Sequence, residues 1–171
     1  MAEYIIKDVM SVFRYLPYGI LAGIIVAIIL SAINDRRVKK NKVPFSVVAI
    51  TGFFMYIVIL LFITVLSREG GSSKGIDLKI FSTWGINTRN NAYVIENILL
   101  FIPFGILCAW VIPAARKLWS CAAIGLIVSL GIECLQLITG RGFFQVDDIL
   151  TNTLGAVAGY LLYRCMVRRK K

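Results

Sequence analysis

Three side chains within nine residues, Glu133, Gln136 and Arg141, are followed closely by three more, Asp147, Asp148 and Asn152. Glu133 stands in an apolar run of hydrocarbon length. A carboxylate there costs about 2.5–3.5 kcal/mol to insert, so it needs a partner or a purpose. Residues of these types support three kinds of chemistry. An arginine such as Arg141 grips the polar or anionic head of a ligand bidentately. Glu133 could serve as an acid or base, with Asp147 and Asp148 holding a divalent cation. Charges inside a bundle can also line an ion or substrate path. Each residue has a structural role to weigh against these. Asp147 or Asp148 can cap the helix that begins beside them. Asn97, Gln136 and Asn152 can be interhelical hydrogen-bond glue, worth about 0.6 kcal/mol each. Arg141 is the one cation that the sequence places beside the cluster, and pairing with Glu133 or an aspartate is expected.

Some chemistry is excluded at once. The chain has no histidine, so His-ligated zinc and a histidine base are ruled out, and Ser129 and Thr151 lack a base of the usual sort. Cys108, Cys121, Cys134 and Cys165 show no CxxC spacing and suit small apolar packing positions. The sequence calls for no cofactor and no metal.

The elements that position these groups are membrane helices. The 171 residues are 58% hydrophobic, and the apolar content comes in long runs rather than in a soluble pattern. Five runs, 12–33, 44–66, 92–112, 118–138 and 149–163, approach or reach the roughly 20 residues that cross a bilayer. The first begins too far in, and is too long, for a cleaved signal peptide. The expected fold is all-α: one polytopic integral membrane domain over 1–171, a bundle of about five transmembrane helices. Pro44 sits at the expected first turn of the second. Pro103 should kink the third and free a carbonyl for a neighbour.

Net charge is +10, but its placement argues against nucleic acid. Arg36, Arg37, Lys39, Lys40 and Lys42 fill the first loop, Arg116 and Lys117 the third, and Arg164, Arg168, Arg169, Lys170 and Lys171 the tail. With five crossings these twelve share one side, against Lys7, Arg14, Arg68, Lys74, Lys79, Arg89 and Arg141 on the other. The positive-inside rule then puts the N-terminus outside and the C-terminus in the cytoplasm, with the basic tail on anionic headgroups.

This topology brings Glu96 and Asn97, Glu133 and Gln136, and Asp147, Asp148 and Asn152 to one outer depth from three helices. Asp148, Asn152, Gly155 and Gly159 fall within about 60° on a helix. The Gly155/Gly159 spacing lets another helix approach closely, in the same chain or in a homo-oligomer. Residues 67–91 open with a flexible glycine–serine stretch and continue through Ile76, Leu78, Ile80, Phe81 and Trp84. That segment belongs at the membrane interface, as a tether or as a lid, with Trp84 and Tyr93 at headgroup level.

These residues carry a resemblance. Asn-Ile-Leu-Leu-Phe-Ile-Pro-Phe-Gly at 97–105, Glu-Cys-Leu-Gln at 133–136, Arg141, and Asp-Asp-Ile-Leu-Thr-Asn-Thr-Leu-Gly-Ala at 147–156 resemble the VanZ-like membrane protein family. The resemblance covers 97–163, and 77–81 looks like a degraded Asn-Leu-x-Pro-Phe segment, which extends it to about 77. Gln145 departs from the family's frequent aspartate, which weakens a metal role for this loop. The first two helices carry no diagnostic motif. The resemblance implies a bacterial inner-membrane protein linked to resistance to teicoplanin-type glycopeptides or lipopeptides, without an established enzymatic activity.

Three functions follow. The first is a non-enzymatic envelope protein whose outward cluster binds a lipid-anchored ligand: a membrane lipid, a lipid-linked cell-wall precursor or a lipoglycopeptide. The second is a small membrane enzyme acting on a polyprenyl or phospholipid substrate. The third is a small transporter. The missing base disfavours the second and the few spans the third.

Overall fold

A computed structural model describes residues 1–68, 71 and 75–168, and of residues 7–9 and 11 the backbone alone. The glycine–serine stretch therefore lies mostly outside the described residues, as do Arg169, Lys170 and Lys171. The described chain forms six α-helices. Helix α1 (Ala2–Val12) leads through a single 3-10 turn into α2 (Leu16–Val38), and α3 (Val47–Leu61) is prolonged by a π turn, Phe62–Leu66. Then come α4 (Thr88–Val111), α5 (Leu118–Thr139) and α6 (Val146–Arg168). Two short strands, β1 (Ile76–Asp77) and β2 (Phe144–Gln145), pair in parallel.

Four segments are long and apolar enough to cross a membrane: Phe13–Val38, Val47–Leu66, Thr88–Val111 and Leu118–Thr139. The fold is thus a polytopic helical membrane bundle. The fifth expected run became α6, whose 23 residues measure about 35 Å. It is less apolar because it carries Asp147 and Asp148 in its first turn and Arg168 in its last. Its neighbours cover much of it, since its main contacts are with α4 and α5.

Boundaries differ from expectation where a cap decides them. The second long helix begins at Val47 rather than Pro44, because Ser46 takes the N-cap and its hydroxyl accepts from the Ala49 N–H at 3.4 Å. Pro44 lies in the turn before it. That turn is clamped by Asn34, whose side chain exchanges two hydrogen bonds with the Phe45 backbone, at 2.8 and 2.9 Å. Helix α4 continues through Pro103 to Val111. The Tyr56 hydroxyl donates to the Leu100 carbonyl in the turn where Pro103 withholds its N–H.

The closest helix crossing is between α4 and α6. A Cβ on Gly159 would strike the Ile102 carbonyl and lie 3.0 Å from Gly105 Cα, and one on Gly155 would lie 2.8 Å from Phe101 Cβ. The groove open to a second copy in the sequence is filled by α4 of the same chain. Around it pack Leu60, Phe101, Phe104, Cys108, Cys121, Ala156 and Tyr160.

Two side-chain bonds fix which helix ends lie together. Gln136 Nε2 donates to the Thr64 carbonyl at 3.0 Å, which joins the C-terminal ends of α3 and α5. The Tyr160 hydroxyl donates to the Arg116 carbonyl at 3.1 Å, tying the late part of α6 to the α4–α5 connection. One end of the bundle therefore gathers Asn97, Glu133, Gln136, Asp147, Asp148 and Asn152. The other carries Arg36, Arg37, Lys39, Lys40, Lys42, Arg116, Lys117, Arg164 and Arg168.

Candidate functional site

The polar end is assembled from the α3, α4, α5 and α6 termini and the segment 75–87. At its floor Glu133 is 1% exposed, and its Oε2 accepts from the Gln145 N–H at 2.9 Å. Asp148, opening α6, is hydrogen-bonded by the Asn97 side chain from α4, so these two expected residues do meet. Asn152, one turn deeper, donates from Nδ2 to Ser129 Oγ at 2.8 Å and ties α6 to α5. Asn97, Gln136 and Asn152 each bridge two helices, which is the glue role open to them.

Arg141 departs from expectation. Its Nη1 donates to the carbonyls of Leu66 at 3.2 Å and Val65 at 3.4 Å, not to a carboxylate. The cause is the π turn. The Ser67 N–H reaches back five residues to Phe62 O, and the widened turn offers Thr64, Val65 and Leu66 carbonyls to Gln136 and Arg141. The cation whose charge attracts both Glu133 and Asp148 is Arg68, just past that turn. One signal did mark it. Arg68, like Arg141, is an arginine at the end of an apolar span opposite to the one where the basic residues cluster.

Asp147 also has a different task from capping α6. Its Oδ1 accepts from the Phe81 N–H at 2.7 Å, and its Oδ2 from the Thr83 N–H at 2.8 Å and the Ser82 hydroxyl at 3.4 Å. Phe81 has φ 62°, a left-handed conformation costly for an aromatic residue, and the Asp147 carboxylate helps hold it there. Asp77, not singled out from sequence, accepts from the Lys79 N–H at 3.0 Å and the Ser82 hydroxyl at 2.8 Å. With the β1–β2 pairing and the bond from Phe144 N–H to Gly75 O, these contacts strap residues 75–83 across the start of α6. Ile76, Leu78, Ile80, Phe81, Trp84 and Ile86 stay 56–78% exposed on that strap, an apolar rim beside a polar floor.

Beneath Phe81 and Trp84 a groove of about 580 Å³ runs along Val94, Ile98, Leu126, Leu150 and Leu154. Its lining is mostly apolar and comes from α4, α5 and α6. The hydroxyls near the floor are engaged without a base. Ser129 accepts from Asn152, and Thr151 donates to the Asp147 and Asp148 carbonyls at 2.9 and 3.2 Å.

The chain is similar in sequence to known proteins. The family model described as VanZ/LLP1 matches residues 53–168, which takes in the π turn, Arg68 and all of α4 to α6. Protein VanZ of Enterococcus faecium is 36% identical over 76 residues, 44% of this chain and 47% of the relative. The chain thus spans about half the length of that curated relative. No solved structure matches it. With more than half its length inside the family match, the chain belongs to the VanZ/LLP1 family.

Proposed function

We propose that this protein works in the bacterial cytoplasmic membrane with its polar end outward, binding there a lipid-anchored ligand and so raising tolerance to teicoplanin-type glycopeptides. The observation that carries the reading is the junction at the start of α6. A buried acid–amide floor meets an exposed apolar rim and an apolar groove. A ligand with a polar head and a lipid tail fits both parts. The basic residues at the opposite end support the orientation, since cytoplasmic loops concentrate lysine and arginine. Kinship with Protein VanZ supports the envelope role.

The test is susceptibility of a Gram-positive deletion strain complemented with each variant. Wild type should raise tolerance to teicoplanin more than to vancomycin, because a lipid-bearing drug concentrates in the outer leaflet. Glu133→Ala and Asp148→Ala, present in the membrane at normal abundance, should lose the effect. Equal protection by wild type and both variants would make the floor scaffold only. Reporter fusions placing both termini on one side would overturn the orientation.

A further inference from the structure

We propose that the outward site takes a zwitterionic ethanolamine-type phospholipid headgroup, its phosphate on Arg68 and its primary ammonium on Gln136 Oε1. This rests on the reading of the polar end as a lipid-facing site and names the ligand class. Two groups able to take a ligand converge there. Gln136 is 2% exposed and donates to Thr64 O, while its Oε1 is buried with no hydrogen-bond partner among the described residues, which is rare for a native buried acceptor. Arg68 is exposed, and no hydrogen bond among the described residues engages its guanidinium. Both flank one point: a Cβ on Gly142 would lie 2.8 Å from Arg68 Nη1 and 3.1 Å from Gln136 Oε1.

Charge selects the ligand. Arg68 offers a planar pair of donors matched to phosphate. Behind it stand Glu133 and Asp148, both within reach of its charge. A purely anionic headgroup would face those carboxylates, and a quaternary ammonium has no N–H for Gln136. A primary ammonium beside a phosphate answers all three demands. The rim of Ile80, Phe81 and Trp84 sets the site at headgroup depth, so the phosphate arrives on a lipid. Entry requires the Arg68 side chain to swing away from Gly142, a rotamer change for an exposed residue.

Native mass spectrometry of the full chain, titrated with dioleoyl phosphatidyl-ethanolamine, -choline and -glycerol, tests this. Wild type should retain the ethanolamine lipid about tenfold more tightly than either other. Arg68→Met should bring the three to parity. So should Gly142→Ala, which keeps both partner groups but fills the point between them, so a misfolded Arg68 variant would not decide the matter. Equal retention of choline and ethanolamine lipids, or a preference that survives both substitutions, overturns the proposal. A glycerol preference that still depends on Arg68 overturns the headgroup but leaves the outward lipid site standing. Weak, equal retention of all three removes both readings. Free glycerophosphoethanolamine binding as tightly as the lipid would overturn the lipid source.

Discussion

Helices α2 and α6 have the same length, 23 residues, and each carries two glycines four apart: Gly19 and Gly23 in one, Gly155 and Gly159 in the other. Their environments differ. On α2 the two glycines are the buried residues, while Ile20, Leu21, Ile24, Ile25, Ile28 and Ile29 are exposed, a surface suited to lipid. On α6 the buried set also includes Asp147, Ile149, Asn152, Ala156 and Tyr160. What the glycines touch differs as well. A Cβ on Gly23 would meet the Met55 side chain, which is flexible, and one on Gly19 chiefly the Ile59 side chain. On α6 it would meet α4 backbone. The same spacing thus marks a helix resting against the bundle in one place and its tightest crossing in the other.

The comparison predicts its own largest effect. Gly159→Ala must push apart two helices whose backbones touch, and should destabilise the protein by about 2 kcal/mol or more, as overpacking of a tight site does. Gly23→Ala asks one methionine to change rotamer and should cost within about 0.5 kcal/mol. Thermal unfolding of both in detergent measures the difference. Equal losses would mean that α2 is as integral to the core as α6.

This contrast explains what was legible in the sequence. Span lengths were readable because hydrocarbon thickness fixes them, so four of five runs appear nearly in place. The site's depth was readable from topology, since chain order alone puts Glu133, Gln136, Asp147 and Asp148 at one end. Partners were not. Arg141 and Arg68 both follow the polar-end termini of apolar helices, and the π turn at Phe62–Leu66 presents carbonyls to the first while the second faces the acids. Asp147 likewise reads as a helix cap until the 75–83 segment folds back across α6, a contact 66 residues away in the chain for Phe81. Helix α6 was harder to place than the others because Asp147, Asp148 and Asn152 at its start and Arg164 and Arg168 at its end dilute its apolar signal.

A second experiment sharpens the polar side of the comparison. Arg68 is exposed, but its charge reaches the buried Glu133, so each should feel the removal of the other. In a double-mutant cycle Glu133→Gln with Arg68→Met should show a coupling of about 0.5–2 kcal/mol, with the pair losing less than the sum of the singles. The cycle with Arg141→Met should be additive within about 0.5 kcal/mol, because Arg141 serves the α3 carbonyls. Coupling to Arg141 and none to Arg68 would reverse the assignment of the two arginines.

The smallest effect belongs to the strap, which has no counterpart on α2. The Lys79 N–H and then the Ser82 hydroxyl, both donating to Asp77, hold its carboxyl below the ordinary aspartate value of 3.8. A carboxyl whose folded value is lowered stabilises the fold above its unfolded value and loses that contribution as pH falls through the folded one. The 77–82 turn should therefore be intact at neutral pH and loosen only below about 3.8. Trp84 lies two residues beyond Ser82 and reports on it once Trp110 and Trp119 are replaced by phenylalanine. Its iodide quenching should rise between pH 4 and 2.5 in that background, on the order of one unit around the aspartate value. Asp77→Asn should show the higher quenching already at pH 7 and little further change on acidification. If the asparagine variant instead titrates like its parent, the loosening comes from another group, and Asp77 is not what holds the turn.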